Sequence, residues 1–328
     1  MIDVPHPSEF ISNELVDTIR DTALEAEKLK RLHPLQLKII LEQKWFLLFV
    51  PKIYGGLELG LSEALRLEES LAWTDGSVGW TVTLCGGAGW FIGFLDPEII
   101  SLVFNDLPVC IAGSGKAAGT AKRVGDGYEI TGYWDHASGA NYATAFTANC
   151  VVEADGKQEI QPFLFLKDEV TIHENWNSMG MIATGSHSFE VLKLRVKNNR
   201  AFHIGDEYAK LPHPVYQYPF LAFAETTLAV NMSGMAMRFL DLCDMLPRWE
   251  NAREKLERAR RLFYEAVPLL NDISLASRKL ASAARQVVND LYPCCGLRSA
   301  DPDTEINRIW RNIHTAGQHS LLSGCSDE

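Results

Sequence analysis

The middle third of the chain alternates between apolar and polar residues, whereas the two outer thirds have helical periodicity. In the outer thirds apolar residues recur every three or four positions, as in amphipathic helices. This spacing predicts, among others, helices at 8–30, at 62–73 with Ser62 as the N-cap, at 214–246 beginning with Pro214, and at 273–291. In the middle, runs with a period of two predict strands at residues 128–134, 146–152, 161–166, 170–173 and 189–196. We therefore predict an α+β fold with a helical domain (1–108), a β-sandwich or barrel domain (109–205) and a helical bundle (206–328).

Composition excludes several classes of protein. A chain of 328 residues with 47% hydrophobic residues can bury a large core. The net charge of −11 argues against a nucleic-acid-binding surface. The seven cysteines include no CxxC spacing, so we predict reduced thiols, a cytoplasmic location and no metal site. The first residues show no signal peptide.

One uncharged stretch, residues 77–95, is almost long enough to cross a bilayer. Five of its nineteen residues are glycine, and the flanking charges are Asp75 and Asp96 rather than Lys or Arg. We therefore predict a buried helix in a soluble domain, with no membrane contact.

The segment 109–139 carries the most specific signals. Its run of small residues, 112–115, would let backbone N–H groups approach an anion. Asp126-Gly127 predicts a type I′ hairpin turn. Alternation beyond that turn places Trp134, His136 and Ser138 on one face. That face could support a flat heteroaromatic ligand, or Trp134 could simply fill the core of a β-sandwich.

Short motifs across the chain resemble the acyl-CoA dehydrogenase superfamily. More narrowly, they resemble its flavin-dependent monooxygenases, the oxygenase components of two-component hydroxylases. The motifs are PKIYGG at 51–56, AGSG…AGT at 112–120, GYWDHASG at 132–139, GMIATGS at 180–186, and RIWR at 308–311 with Gln318-His319. The resemblance implies that FAD or FMN is held between the helical and β domains, in a dimer or tetramer.

The resemblance also implies roles for individual residues. His319 falls where the dehydrogenases of this superfamily carry a carboxylate base, and a histidine there can manage protons near neutral pH. Ser138 would hydrogen-bond flavin N5. The remaining matches are to the loop along the flavin and its phosphates (Gly113, Ser114, Gly119 and Thr120), the strand behind the isoalloxazine ring (His136 and Ala137), and a tight turn (Thr184-Gly185-Ser186).

One departure from the family qualifies the cofactor prediction. The chain is shorter than typical members around residues 240–254, where the family carries an Arg and a Gln that reach the FAD of a neighbouring subunit, and the sequence shows no clear equivalent of these two residues. The resemblance then implies loosely held reduced FAD or FMN, delivered by a separate reductase. No GxGxxG follows a strand, so we expect no direct NAD(P)H binding.

The sequence thus predicts an oxygenase that uses reduced flavin and O2 on a small aromatic or apolar compound. Two alternatives stay open. The first is an acyl-CoA dehydrogenase-like enzyme that oxidises an acyl thioester, with Glu225 as the only candidate base near the family's other base position. The second is a degenerate member of the fold that binds a ligand or partner without catalysis.

Overall fold

Helices enclose a central sheet in the computed structural model, which describes residues 2–105, 108–154, 157–244, 246–269 and 272–323. The helices before the sheet are α1 (Asn13–Asp21), α2 (Ala23–Leu29), α3 (Pro34–Glu42), α4 (Leu61–Thr74), α5 (Gly76–Gly89) and α6 (Pro97–Phe104). Those after it are α7 (Phe220–Asp241), α8 (Trp249–Ala266), α9 (Ile273–Leu291), α10 (Glu305–Ala316) and α11 (Ser320–Ser323). The α+β class and the order helices, strands, helices are confirmed.

Local hydrogen bonds explain where several helices differ from the sequence prediction. Residues 8–30 form α1 and α2 instead of one helix, because the Thr22 hydroxyl donates to the Thr18 carbonyl where the helix breaks. The N-cap of α4 is Gly60, rather than the predicted Ser62, and the Glu63 carboxylate accepts the Gly60 N–H at 3.2 Å. Pro219 delays the start of α7, which was predicted at Pro214.

Within the described residues, the strands form one mixed sheet of six strands in the order β4-β3-β1-β2-β6-β5. They are β1 (Ile111–Val124), β2 (Gly127–Ala137), β3 (Ala145–Ala154), β4 (Lys157–Leu166), β5 (Thr171–His173) and β6 (His187–Lys197). Strands β1 and β3 run parallel, and all other neighbours are antiparallel. The predicted middle β-domain is therefore present, as a single hydrogen-bonded sheet.

The hairpin between β1 and β2 turns one residue earlier than predicted. Val124 pairs with Gly127, so the two loop residues are Gly125 and Asp126. Gly125 has φ +62°, which suits the first position of a type II′ turn. The predicted Asp126-Gly127 turn is wrong, because Gly127 already belongs to β2.

Packing divides the molecule into two hydrophobic cores. Helices from both ends of the chain share one continuous core, in which Trp90 of the 77–95 stretch stacks on Phe223 of α7 at 4.9 Å. The sheet has its own core around Trp134. The predicted three-domain boundaries stay a prediction. Among the described residues, no helix is long and apolar enough to span a bilayer.

Candidate functional site

A bulge near the end of β2 determines which side chains point into the site. Between Trp134 and Ala137 the β2–β6 register shifts, so that one extra residue is accommodated on β2. His136 lies in this bulge with φ +65° and is exposed, whereas Ala137 is buried. The predicted alternation is therefore wrong at this point. Ala137 follows Trp134 into the core, and the His136 side chain is free at the surface of the site.

Three hydroxyl groups form a chain behind this bulge. Ser138, which is 4% exposed, contacts the Ser186 hydroxyl at 2.8 Å, and Ser186 contacts the Thr184 hydroxyl at 2.7 Å. Thr184 donates to the Met181 carbonyl at 2.8 Å. A hydroxyl has one hydrogen to donate. Thr184 must therefore accept from Ser186, and Ser186 from Ser138, which leaves the Ser138 oxygen as an acceptor only.

Helix α10 holds the loop that carries this chain. The Met181 N–H donates to the Asn312 side-chain oxygen at 2.6 Å. Gly180 packs so closely on α10 that a Cβ atom would overlap the Arg311 carbonyl. Arg311 itself is fixed by a 2.8 Å ion pair with Glu27 of α2. The hydroxyl chain is therefore positioned by the helices rather than by the sheet alone.

His319 lies just beyond α10 and has a defined ring orientation. Its Nδ1 accepts the Leu321 N–H at 3.3 Å, which leaves the hydrogen of the neutral ring on Nε2. The ring meets Trp80 of α5 edge-on, with centroids 6.0 Å apart. Burial, and to a smaller extent the electrostatic effect of the His136 ring, lower the pKa of His319, so the His319 ring is neutral at pH 7.

Trp176 forms a further wall of the site beside His136. Its ring meets the His136 ring edge-on at 5.8 Å, and its indole N–H donates to the Met181 carbonyl at 2.9 Å. The Trp176 backbone N–H donates to His187 Nδ1 at 3.1 Å. Burial lowers the pKa of His187, which favours the neutral ring that this bond requires.

The residues predicted to follow the cofactor phosphates lie within β1 instead of a loop. Gly113 and Ser114 pair with Thr147 and Ala148 of β3, and the pairing is irregular from Ser114 to Gly119. Gly119 and Thr120 pair with residues in the middle of β2, about 20 Å along the strand from Ser138. A Cβ atom at Gly119 would overlap the Trp134 ring, so packing alone requires glycine there. Their contact with a cofactor stays a prediction.

Two other candidate groups have partners elsewhere. Glu225, the alternative base, forms a 2.9 Å ion pair with Arg278 of α9. His314 packs its ring on Trp310 at 4.5 Å, while His319 faces Trp80. Among the described residues, no group of three or more His, Cys, Asp or Glu side chains is placed to hold a metal ion.

A surface groove of about 800 Å³ lies between α2, α3 and Tyr142. Its walls include Leu29, Leu32 and Leu37, and the Tyr142 hydroxyl donates to the Leu32 carbonyl at 3.4 Å. None of the predicted site residues lines this groove.

Sequence reasoning missed four residues that shape the site. Trp80 and Trp176 could be interpreted only as core aromatics, because nothing in the sequence pairs them with His319 or His136. Thr184 and Ser186 were assigned only to a turn. The sequence did offer one indication, because Thr184 and Ser186 are separated by a single glycine and two residues at this spacing can place both hydroxyls on the same side.

Comparison with protein families and curated proteins gives consistent matches. Residues 228–324 match the model described as acyl-CoA dehydrogenase, C-terminal domain. The chain is 34% identical over 315 residues to a pigment production hydroxylase of Rhodococcus sp. (strain ATCC 21145), with 83% of this chain and 81% of the relative covered. It is 26% identical to the flavin-dependent monooxygenase, oxygenase subunit HsaA, of Rhodococcus jostii, with 94% and 76% covered.

Solved structures share the whole fold. The 3-HSA hydroxylase from Rhodococcus sp. RHA1 superposes with a TM-score of 0.88 at 22% identity, covering 98% of this chain and 94% of that one. XiaF from Streptomyces sp., solved in complex with FADH2 and glycerol, gives a TM-score of 0.83 at 22% identity, with 96% and 91% covered. At this identity the likeness shows the fold.

Proposed function

We propose that this chain, which belongs to the flavin-dependent monooxygenases of the acyl-CoA dehydrogenase superfamily, is the oxygenase component of a two-component system. It uses reduced flavin and O2 to hydroxylate a small aromatic compound. The observation that carries the assignment to this site is the hydroxyl chain ending at Ser138, together with a neutral His319 ring that lies within electrostatic reach of His136, two residues before Ser138.

The direction of the hydrogen bonds in the hydroxyl chain suits reduced flavin. Reduced flavin has a hydrogen on N5, whereas N5 of oxidised flavin only accepts hydrogen bonds. The Ser138 oxygen has lone pairs but no spare hydrogen, because its own hydrogen is used on Ser186. An acceptor at this position favours the reduced cofactor over the oxidised one by about the strength of one hydrogen bond, roughly 1 kcal/mol. When bound, reduced flavin supplies the two electrons that activate O2.

His319 provides a proton at a defined atom. Since Nδ1 is occupied by the Leu321 N–H, the ring presents Nε2–H as a donor. That donor suits an oxygen atom that gains negative charge, such as a phenolate or a reduced oxygen species. The exposed His136 lies close enough to influence His319 electrostatically, and it offers a second polar group for the substrate.

The relatives support further details of the proposal. One relative is named an FADH(2)-dependent resorcinol hydroxylase, oxygenase component, and XiaF was solved with FADH2, so we propose FAD rather than FMN. An oxygenase component implies a separate flavin reductase as partner. We also propose a homo-oligomer, dimer or tetramer, and a cytoplasmic location, the latter because all cysteines in the described ranges are free.

A labelling experiment tests the function. The purified protein is supplied with FAD, NADH and a flavin reductase under ¹⁸O2, together with a panel of phenols and indoles. We expect one ¹⁸O atom in a hydroxylated product, and none when the oxygenase is omitted. Failure of the whole panel, combined with anaerobic reduction of oxidised FAD by acyl-CoA thioesters, would instead establish the dehydrogenase alternative.

A further inference from the structure

Two cysteine thiols from distant parts of the chain touch in the C-terminal helices. The sulfur atoms of Cys243, at the end of α7, and Cys295, after α9, lie 3.8 Å apart. Cys243 is 3% exposed and Cys295 is partly exposed, while the neighbouring Cys294 is exposed. The Cys295 thiol also donates to the Leu291 carbonyl at 3.5 Å, which holds its side chain in place.

We propose that Cys243 and Cys295 form a modification site, a dithiol that hydrogen peroxide oxidises to an intramolecular disulfide. The sulfur of the more accessible Cys295 attacks one peroxide oxygen and becomes a sulfenic acid, and water leaves. The Cys243 sulfur then attacks the Cys295 sulfur, the S–O bond breaks, and a second water leaves. Two thiols lose two hydrogens and two electrons, and one peroxide is reduced to two waters.

The geometry favours the second step over competing reactions. The two sulfurs are already in van der Waals contact, so closing the bond needs a movement of about 2 Å, which side-chain rotation and a small backbone shift can supply. Burial raises the pKa of both thiols, so the reaction should be slow at neutral pH and faster as the pH rises. Contact between the two sulfur atoms offsets this slow reaction in part, because the attacking Cys243 sulfur is already held beside the Cys295 sulfur.

The disulfide would connect two elements that lead to the site described above. The segment between the cysteines contains α8 and α9. Tyr292, which precedes Cys295, stacks on Trp310 of α10 at 5.0 Å, and its hydroxyl accepts the Asn307 amide at 2.9 Å. Oxidation would therefore restrain α10, the helix that holds the hydroxyl-chain loop, relative to α7.

The test is intact mass spectrometry and non-reduced peptide mapping of the folded protein after treatment with dilute hydrogen peroxide. We expect a loss of about 2 Da and one linked peptide pair containing Cys243 and Cys295. Dithiothreitol should reverse both changes. We expect the oxidised protein to unfold at a temperature higher by about 5 °C, because the crosslink restrains the unfolded chain.

Variants distinguish this pair from its neighbours. Cys294→Ser should leave the loss of about 2 Da intact, whereas Cys243→Ser and Cys295→Ser should each abolish it. A vicinal link between Cys294 and Cys295 would overturn the proposal. So would stepwise gains of about 16 Da in the wild-type protein without the linked peptide. Peptide mapping of the wild type decides the matter even if a variant folds poorly.

Discussion

Two clusters of buried polar side chains differ in how their hydrogen bonds are used. One is the Glu69 cluster, and the other is the Ser138 cluster, which consists of Ser138, Ser186 and Thr184. Glu69 of α4 accepts hydrogen bonds from Arg260 at 2.8 and 3.0 Å, from Tyr264 at 2.7 Å and from Ser233 at 2.5 Å. Burial alone would raise the pKa of Glu69, but the Arg260 charge and these hydrogen bonds lower it below its usual value. Every charge in this cluster has a partner, and the cluster joins α4, α7 and α8.

The Ser138 cluster contains no paired charges. Each hydroxyl donates its hydrogen to the next oxygen along the chain, so the Ser138 oxygen can still accept a hydrogen bond. His319 is kept neutral and leaves one donor over, at Nε2. The polar groups of the Glu69 cluster use all their hydrogen bonds and ion pairs within the protein, and so they hold the fold together. Ser138 and His319 each keep one hydrogen-bonding position that a ligand can use.

The largest expected effect is on stability, from Glu69→Gln. The substitution leaves the Arg260 charge buried without its counter-ion, which costs about 3–5 kcal/mol of unfolding free energy. Urea unfolding measures the cost, with Lys38→Ala in a surface ion pair as the control, expected to cost less than about 1 kcal/mol. A cost below about 1 kcal/mol for Glu69→Gln would show that the cluster does not hold the helices together.

The next largest effect is on catalysis, from His319→Ala. Removing the Nε2–H donor should lower kcat by about 100-fold or more, with unfolding free energy nearly unchanged. His314→Ala is the matched control, since it removes a histidine of lowered pKa from the same segment but away from the site. Equal losses of kcat in the two variants would remove His319 from the site.

A smaller effect should follow from Ser186→Ala, which interrupts the hydroxyl chain. The Ser138 hydrogen then has no fixed acceptor, so the preference for reduced over oxidised flavin should fall by about fivefold, equivalent to about 1 kcal/mol. Ser188→Ala is the control two residues further along the sequence, because the Ser188 hydroxyl donates to Asp135 and takes no part in the hydroxyl chain. Flavin dissociation constants in both redox states measure the effect, and an unchanged ratio would contradict the assigned direction of the chain.

The last effect, of similar size but opposite sign, concerns Glu68, which precedes Glu69 and is fully buried. Within the part of the chain that the structure describes, its carboxyl oxygens have no hydrogen-bond partner of good geometry. Burial raises the pKa of Glu68 well above its usual value, and Thr83 opposes this only in part. Above pH 4.5 the unfolded chain loses this proton while the folded chain keeps it, so stability falls as the pH rises. The free energy of unfolding of Glu68→Gln, measured by urea unfolding, should therefore exceed that of the wild type by about 1 kcal/mol or more at pH 8, and by less at pH 4. A difference in unfolding free energy between the variant and the wild type that stays the same at pH 4 and pH 8 would contradict the raised pKa of Glu68.

The sequence predicts the parts of this structure that depend on local periodicity. Helix α9 begins at Ile273 and ends at Leu291, as its apolar spacing indicates. Strand β2 is also found where alternation places it. Strand β1 was predicted only as the first arm of the hairpin, without bounds, because its glycine and alanine residues have low strand propensity and are held by pairing with β2 and β3.

The candidate site is less predictable, because its contacts join distant segments. A bulge at His136 adds a residue without disturbing the apolar pattern, so alternation gave that side chain the wrong neighbours. The Ser138–Ser186 contact spans 48 residues, and no local signal specifies it. Motif resemblance predicted roles for Ser138 and His319, which stay predictions, but the directions of their hydrogen bonds required coordinates.

The most direct test of the account is an anaerobic titration of the wild type and Ser138→Ala with reduced and oxidised FAD. The account predicts that the wild type binds reduced FAD at least about fivefold more tightly than oxidised FAD, and that Ser138→Ala loses this preference. Equal affinity for the two redox states in the wild type, or tighter binding of oxidised FAD, would contradict the central claim that Ser138 accepts a hydrogen bond from the reduced cofactor.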